Sequence, residues 1–165
     1  MKDYDYIIVG AGSAGSVLAN RLSEDPANKV LLIEAGGSDR RFFIQMPIGY
    51  GITYHQKTVN WMYMTEPSPD ADNKPSYWPR GKVMGGSSSI NAMVYVRGNS
   101  RDFDQWSEAG NPGWSYSDVL PYFKKMESWQ NGPDDYRGGD GPLNVSEVSR
   151  QLHPLCQNFL SAAQE

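Results

Sequence analysis

Gly10, Gly12 and Gly15 stand at the spacing G-x-G-x-x-G, directly behind the apolar run Tyr6-Ile7-Ile8-Val9 and directly ahead of a segment of helical periodicity. The run has the length and composition of a strand buried on both faces in a parallel sheet, and Gly10 breaks it. After the glycines, Val17, Leu18 and Leu22 fall on one side of a helix, with Asn20, Arg21 and Glu24 on the other. Strand, tight turn and helix in this order separate a dinucleotide-binding fingerprint from a chance glycine repeat. Its three glycines turn the chain, admit a pyrophosphate to the backbone and let the helix pack on the strand. The pyrophosphate then rests on the helix N-terminus, where free N–H groups and the macrodipole favour negative charge.

A second run, Val30-Leu31-Leu32-Ile33, reads as another buried parallel strand and ends in Glu34. An acid about 20 residues beyond the glycines is where a ribose hydroxyl is bound. A carboxylate there repels a 2′-phosphate, so the expected ligand carries a free 2′-hydroxyl; FAD and NAD both qualify. Asp25-Pro26-Ala27-Asn28 is the turn between helix and strand. Residues 1–37 therefore read as one β-α-β unit.

Composition narrows the class. A chain of 165 residues holds one core-bearing domain or part of a larger one. A formal charge of −4 gives no reason to expect nucleic acid or an anionic membrane surface as partner. No apolar run approaches the ~20 residues that span a bilayer. The first strand follows so soon after Met1 that no signal peptide is expected. A single cysteine, Cys156, excludes an internal disulfide and suits a reducing compartment, so a cytoplasmic location is the expectation. The 17 glycines and 11 prolines are spread along a chain that also holds 5 Trp, 10 Tyr and 5 Phe, which describes an ordered but loop-rich protein.

Beyond Gly37 the periodicity is weaker. Trp61–Thr65 reads as a short strand, and Pro67, Pro69, Asp70, Asp72, Asn73 and Pro75 make a turn-rich loop. Ser100–Ala109 reads as a helix capped by Ser100 and stopped by Gly110. Ser117–Met126 reads as a second helix, with Val119, Leu120, Phe123 and Met126 on one face. A short strand is expected around Leu143–Val145, and a third helix from Leu152 that runs on to Glu165. Residues 35–165 contain no second β-α-β unit, so the parallel sheet is incomplete. The expectation is an α/β, Rossmann-like domain, present as the N-terminal portion of something larger.

The most distinctive stretch is Arg80-Gly-Lys-Val-Met-Gly-Gly-Ser-Ser-Ser-Ile-Asn-Ala-Met-Val-Tyr-Val-Arg-Gly98. Gly85-Gly86 followed by Ser87, Ser88 and Ser89 reads either as a helix start facing an anion or a flavin edge, or as a Gly/Ser turn before a strand. It is no Walker loop, because Val83 follows Gly81-Lys82. Together with the N-terminal fingerprint, this stretch resembles the first signature of the glucose–methanol–choline (GMC) family of flavin oxidoreductases. The likeness also takes in Leu31–Gly36, Asn60-Trp61 with Thr65-Glu66-Pro67, and Asp102-Phe103-Asp104-Gln105-Trp106. It is greatest to bacterial choline dehydrogenase-like and alcohol dehydrogenase-like members.

The resemblance implies a GMC-type FAD-binding domain. Adenosine and pyrophosphate would lie on Gly10, Gly12, Ser13, Ala14, Gly15, Glu34 and Ala35. The flavin end would lie along Asn91, Ala92, Met93 and Val94, flanked by Val83 and Gly86. Residues 67–79 would match a lid over the cofactor, 80–98 the second FAD signature, and 99–165 a helical segment leading toward a substrate domain. Met84 stands where Leu or Trp is usual, and Ala92 where Gly is common. Some members attach FAD through a histidine at the position of Ile90; isoleucine forms no such bond, so non-covalent FAD is expected. The family oxidises a primary alcohol, a base taking the hydroxyl proton while hydride passes to flavin N5. The histidine that serves as base, and its His or Asn partner, belong to a C-terminal part of the protein that this sequence lacks. A small alcohol and that missing part are thus the expected partners besides FAD.

No residue here receives a catalytic role. His55 sits in an irregular stretch without a neighbouring carboxylate, His153 opens a helix, and two histidines with one cysteine at unrelated spacings make no metal site. Cys156 reads as a small buried apolar side chain. Ser87, Ser88 and Ser89 lack the G-x-S-x-G context of a nucleophile, and Asp102, Asp104 and Glu108 read as a solvated helix face. Two other readings stand beside the oxidoreductase: a lyase of the same fold that keeps FAD without net redox chemistry, and a non-catalytic remnant.

Overall fold

The computed structural model describes residues 3–148 and 152–164, and the chain divides into two compact units, one running to Val94 and one beginning at Tyr95. The first opens with β1 (Tyr6–Val9), α1 (Ser13–Leu22) and β2 (Val30–Ile33). Strands joined by a helical crossover pair in parallel, and β1 and β2 do so with Tyr6 opposite Val30 and Val9 opposite Ile33. The ladder is tied at one end by Asp5 N–H to Lys29 O (2.9 Å) and Lys29 N–H to the Asp5 carboxylate (2.8 Å). At the other end Gly10 N–H donates to Ile33 O at 2.7 Å. Asn28 Nδ2 closes the turn below the helix onto Leu22 O.

Burial departs from the strand composition. Of the two apolar runs only Ile8 is buried, while Val9 is 84% exposed. A continuous Val/Ile/Leu run reports a strand with neighbours on both sides and cover on both faces, and this sheet has two strands. The composition belongs to a larger sheet than these residues build.

The rest of the first unit is short pieces. α2 (Phe42–Gln45) and α3 (Tyr50–Thr53) flank a 3-10 turn at Pro47–Gly49. The strand expected over 61–65 contracts to β3 (Tyr63–Met64), because Met62 adopts a left-handed φ of 55° and bends the chain out of the ladder. Its antiparallel partner, β4 (Tyr77–Trp78), went unread in the sequence. The core of this unit is Val59, Val83 and Ile90, with Ile44 packed against them. Beside it, Asn60 is buried with every polar atom used: Nδ2 donates to Tyr54 O (2.8 Å) and the Tyr77 hydroxyl (3.1 Å), and Oδ1 accepts from Met62 N and Arg80 N (2.9 Å each).

The second unit holds α4 (Ser100–Glu108), α5 (Tyr116–Met126), β5 (Glu127–Trp129), β6 (Leu143–Val145) and α6 (Leu155–Ala162). Asn99, not Ser100, caps α4, its side chain accepting from Arg101 N at 2.9 Å. Ser115 caps α5 in a capping box with Asp118, so that helix starts one residue earlier than read. Pro121 sits inside α5 and withdraws the N–H that would meet the Ser117 carbonyl. α6 starts at Leu155 rather than Leu152, since Pro154 disfavours helical geometry in the residue before it, and it ends at Ala162 rather than running on to Glu165. Cys156, on its first turn, is half-buried rather than buried. Phe103 of α4 meets Phe123 of α5 edge-on with centroids 5.6 Å apart.

β5 pairs in parallel with β6, Glu127 opposite Leu143. The residue that β5 buries is a carboxylate. Glu127 is fully buried and paired with both Arg97 and Arg137, whose guanidinium lies 2.9 Å from Oε1 as an ion pair without an aligned hydrogen bond. Burial pushes the Arg97 guanidinium down, but Tyr95, Glu127 and Tyr116 together hold it above its ordinary value. Among the described residues no helix is long and apolar enough to cross a membrane.

Candidate functional site

Everything that sets the first unit apart converges on the N-terminus of α1. Its cap, Gly12, supplies no side chain, and the first backbone bond of the helix runs from Ser16 N–H to Gly12 O. The N–H groups of Ser13, Ala14 and Gly15 meet no acceptor among the described residues, and Ser13 and Ala14 are exposed. Three free donors at the positive end of a ten-residue helix are a site for an anion. Close packing of this helix on β1 depends on Gly15: a Cβ there would lie 1.9 Å from the Gly10 carbonyl oxygen.

The second glycine stretch folds onto this turn. Gly86 follows Gly85 into the left-handed region at φ 58°, and a Cβ on it would stand 2.7 Å from Gly12 Cα, so only glycine permits this crossing. Gly85 N–H donates to Ala11 O (2.8 Å), Met84 N–H to Gly37 O (2.9 Å), and the Ser13 and Ser88 hydroxyls are 2.5 Å apart. Ser87–Ser89 form a single 3-10 turn with Gly86, not the opening of an α-helix, and no strand follows it directly. Of the two readings of the sequence, the turn is the one that forms.

Glu34 ties the arrangement to the end of β2. Its Oε2 accepts from Ala11 N at 2.8 Å and its Oε1 from Gly36 N at 2.9 Å. A carboxylate offers about four lone-pair positions, so two remain for a ligand. The turn residues Gly10, Gly12 and Gly86, with Glu34 and Ala35, line one cavity of about 470 Å3, within the usual range for a small-molecule site.

Trp61, Tyr63, Arg80 and Ser87 are among the further lining residues that the sequence did not single out as site residues. The Trp61 and Tyr63 rings stack nearly parallel, Lys82 Nζ lies 4.5 Å over the Trp61 ring, and the Arg80 guanidinium stacks 4.7 Å over Trp78. The signals for them were the Asn60-Trp61 pair and the stretch that begins at Arg80; the convergence of Trp61, Tyr63 and Arg80 depends on buried Asn60, which bonds residues 54, 62, 77 and 80 at once.

The remaining expected residues are placed elsewhere. Val83 is fully buried in the core with Ile90, so it supports the site from beneath. Asn91, Ala92, Met93 and Val94 are all exposed. Asn91 and Met93 line a second, smaller cavity of about 220 Å3 with Ser88 and Ser89. Met93 is held left-handed, φ 58°, by an Asn91 side chain that accepts its N–H at 2.9 Å, a costly conformation for a residue with a Cβ. His55 is exposed and stacks on Tyr77, far in role from a base: it has no carboxylate partner among the described residues. No three His, Cys, Asp or Glu side chains cluster as a metal site among them either.

The sequence profile of the family described as GMC oxidoreductase matches residues 4–165. The chain belongs to that family. It is 53% identical, over 99% of its length, to an oxygen-dependent choline dehydrogenase of Vibrio vulnificus, and 49% identical over 99% to the mitochondrial choline dehydrogenase of Mus musculus. These matches take in 30% and 28% of the two relatives, so the chain spans less than a third of the length of either. Among solved structures it is similar to pyridoxine 4-oxidase from Mesorbium loti, with a TM-score of 0.87 at 38% identity, covering 97% of this chain and 31% of that one. An FAD-dependent oxidoreductase from Chaetomium thermophilum gives 0.80 at 35% identity. The GMC oxidoreductases are FAD-using enzymes, and the two units described above are a partial α/β FAD-binding domain of that type.

Proposed function

We propose that this chain is the cofactor-holding third of an FAD-dependent oxidoreductase acting on the CH–OH group of a primary alcohol. The observation that carries the reading is the open N-terminus of α1: three free N–H groups at an uncapped glycine, beside a cavity that ends on a carboxylate. Those donors and the helix dipole suit a pyrophosphate. Glu34 keeps lone pairs for the ribose hydroxyls of an adenosine and repels a 2′-phosphate, which excludes NADP. The exposed, conformationally strained segment Asn91–Val94 is assigned to the flavin end, with residues 67–79 as cover and 99–165 leading toward a substrate domain.

Bound FAD would supply the hydride acceptor that no side chain can provide. The residues of this chain bind and orient it, and hold water away from the glycine crossing. The proton-accepting base is assigned to polypeptide outside this third. Ile90 presents only aliphatic carbon, so the cofactor is held without a covalent bond. Titrating the purified protein with FAD and following flavin fluorescence tests this. Saturable binding, with all flavin released as free FAD on acid precipitation, is the expected result. Absence of binding refutes the cofactor assignment, and flavin that stays with the precipitate refutes the non-covalent one.

A further inference from the structure

Tyr95-Val96-Arg97-Gly98, which opens the second unit, is neither helix nor ladder. None of its backbone N–H or C=O groups has a partner among the described residues, although Tyr95 and Arg97 are half-buried. Backbone groups without a partner in the chain are left to water or to another segment. Its burial alternates with a period of two: Tyr95 and Arg97 face inward, whereas Val96 is 78% exposed. The inward side is firmly held. The Arg97 guanidinium bonds buried Glu127 and the Tyr136 carbonyl and lies over the Phe123 ring, and the Arg137 guanidinium lies over the Tyr95 ring. The segment also borders an apolar cavity of about 750 Å3, walled by Phe103, Trp114, Val119, Tyr122 and Phe123.

A rail of unpaired donors and acceptors beside an apolar hollow is a template for another strand: main-chain bonds supply pairing, and alternate side chains fill the hollow. We propose that Tyr95–Gly98 is a docking edge that receives an extended apolar segment from the part of the polypeptide that lies beyond this third. A small molecule or a helix cannot satisfy successive backbone N–H and C=O groups along an edge. The relatives are more than three times the length of the matched region, which leaves ample chain to furnish a strand. The inference rests on the reading of this chain as a third of a longer protein.

The test is amide hydrogen exchange at Val96, Arg97 and Gly98, measured on the gene product after its intact mass is known and again on the 165-residue chain. The expected result is a product well above 18.4 kDa in which the amides of one edge, either Val96 and Gly98 or Arg97, are slowed at least ~100-fold, and near-unprotected exchange of all three in the 165-residue chain. A product of 18.4 kDa overturns both the inference and the reading beneath it. Rapid exchange of all three amides in a longer product overturns the docking edge alone. Protection that appears in the 165-residue chain as its concentration rises makes a second copy the occupant, and also overturns the assignment.

Discussion

Replacing Gly12 and Gly15 one at a time with alanine separates folding from cofactor binding, because the two glycines face different neighbours. At Gly15 a Cβ would sit 1.9 Å from the Gly10 carbonyl oxygen and 3.3 Å from Ile8 Cγ2. Non-bonded carbons settle at about 3.5–4.0 Å, so α1 must withdraw from β1 by more than about 1 Å, and no rotamer change relieves a clash with backbone. Overpacking of this kind costs about 1–3 kcal/mol, against a helix-propensity gain of about 1 kcal/mol for alanine. With backbone at 1.9 Å the upper half of that range, about 2–3 kcal/mol, applies, and the expected net loss is about 1–2 kcal/mol. At Gly12 the backbone lies at φ −77°, ψ −169°, which alanine adopts freely, and the nearest atom to a Cβ is Gly86 Cα at 3.9 Å. Alanine is a poorer cap by about 1 kcal/mol, offset by about 0.4–1 kcal/mol from the stiffer unfolded chain. Stability should therefore change by less than about 0.5 kcal/mol. Its methyl, however, stands where a phosphate would approach the free N–H groups, and FAD affinity should fall at least tenfold, about 1.4 kcal/mol. Urea unfolding followed by tryptophan fluorescence, with FAD titration of each variant, reads both quantities. The reasoning fails if Gly12→Ala binds FAD as the parent does, or if Gly15→Ala unfolds at the same urea concentration as the parent.

Two further outcomes follow from other parts of the molecule. Asn60→Leu strands the N–H groups of Met62 and Arg80, at about 1–3 kcal/mol for each group left unpaired, while the Tyr54 carbonyl keeps the Tyr77 hydroxyl. A lowered unfolding midpoint together with weaker FAD binding is expected, and an unchanged midpoint would show that Asn60 does not organise the cavity wall. Asp134 accepts from Tyr136 N and Arg137 N at 2.7 Å each, and these bonds lower its carboxyl below the ordinary 3.8. A depressed carboxyl stabilises the folded loop at any pH above its unfolded value and loses that contribution as pH falls through the lower folded value. Protection factors of the Tyr136 and Arg137 amides should be level above about pH 5 and decline below 3.8. Asp134→Asn should remove that dependence, and a variant that kept the acid decline would point to another group.

How far each feature could be read depended on where its cause lay. The β-α-β unit was legible because its signals are local: two apolar runs, a glycine turn between the first and the helix, and an acid at the end of the second. α4 and α5 were legible to within a residue: at α4 the error was which of the adjacent Asn99 and Ser100 caps the helix, and α5 starts one residue before its read start. β4 and β5 were not legible: two residues of β4 carry no period, and in β5 the buried side chain is Glu127, which sequence pattern assigns to the surface. Its burial depends on Arg97 and Arg137, distant in sequence and brought together only by folding.

The candidate site divides in the same way. The glycine spacing determined the turn and the open helix N-terminus, because steric room at a backbone is a property of single residues. That the second glycine stretch crosses the first at Gly86 over Gly12 is a tertiary fact, as is the placing of Trp61, Tyr63 and Arg80 in the wall of the cavity. The family resemblance set Val83 beside the cofactor; that it packs in the core with Val59 and Ile90 is a fact of the tertiary structure. Local sterics and charge are written in the chain; which segments face each other is decided only when the buried residues have found one common core.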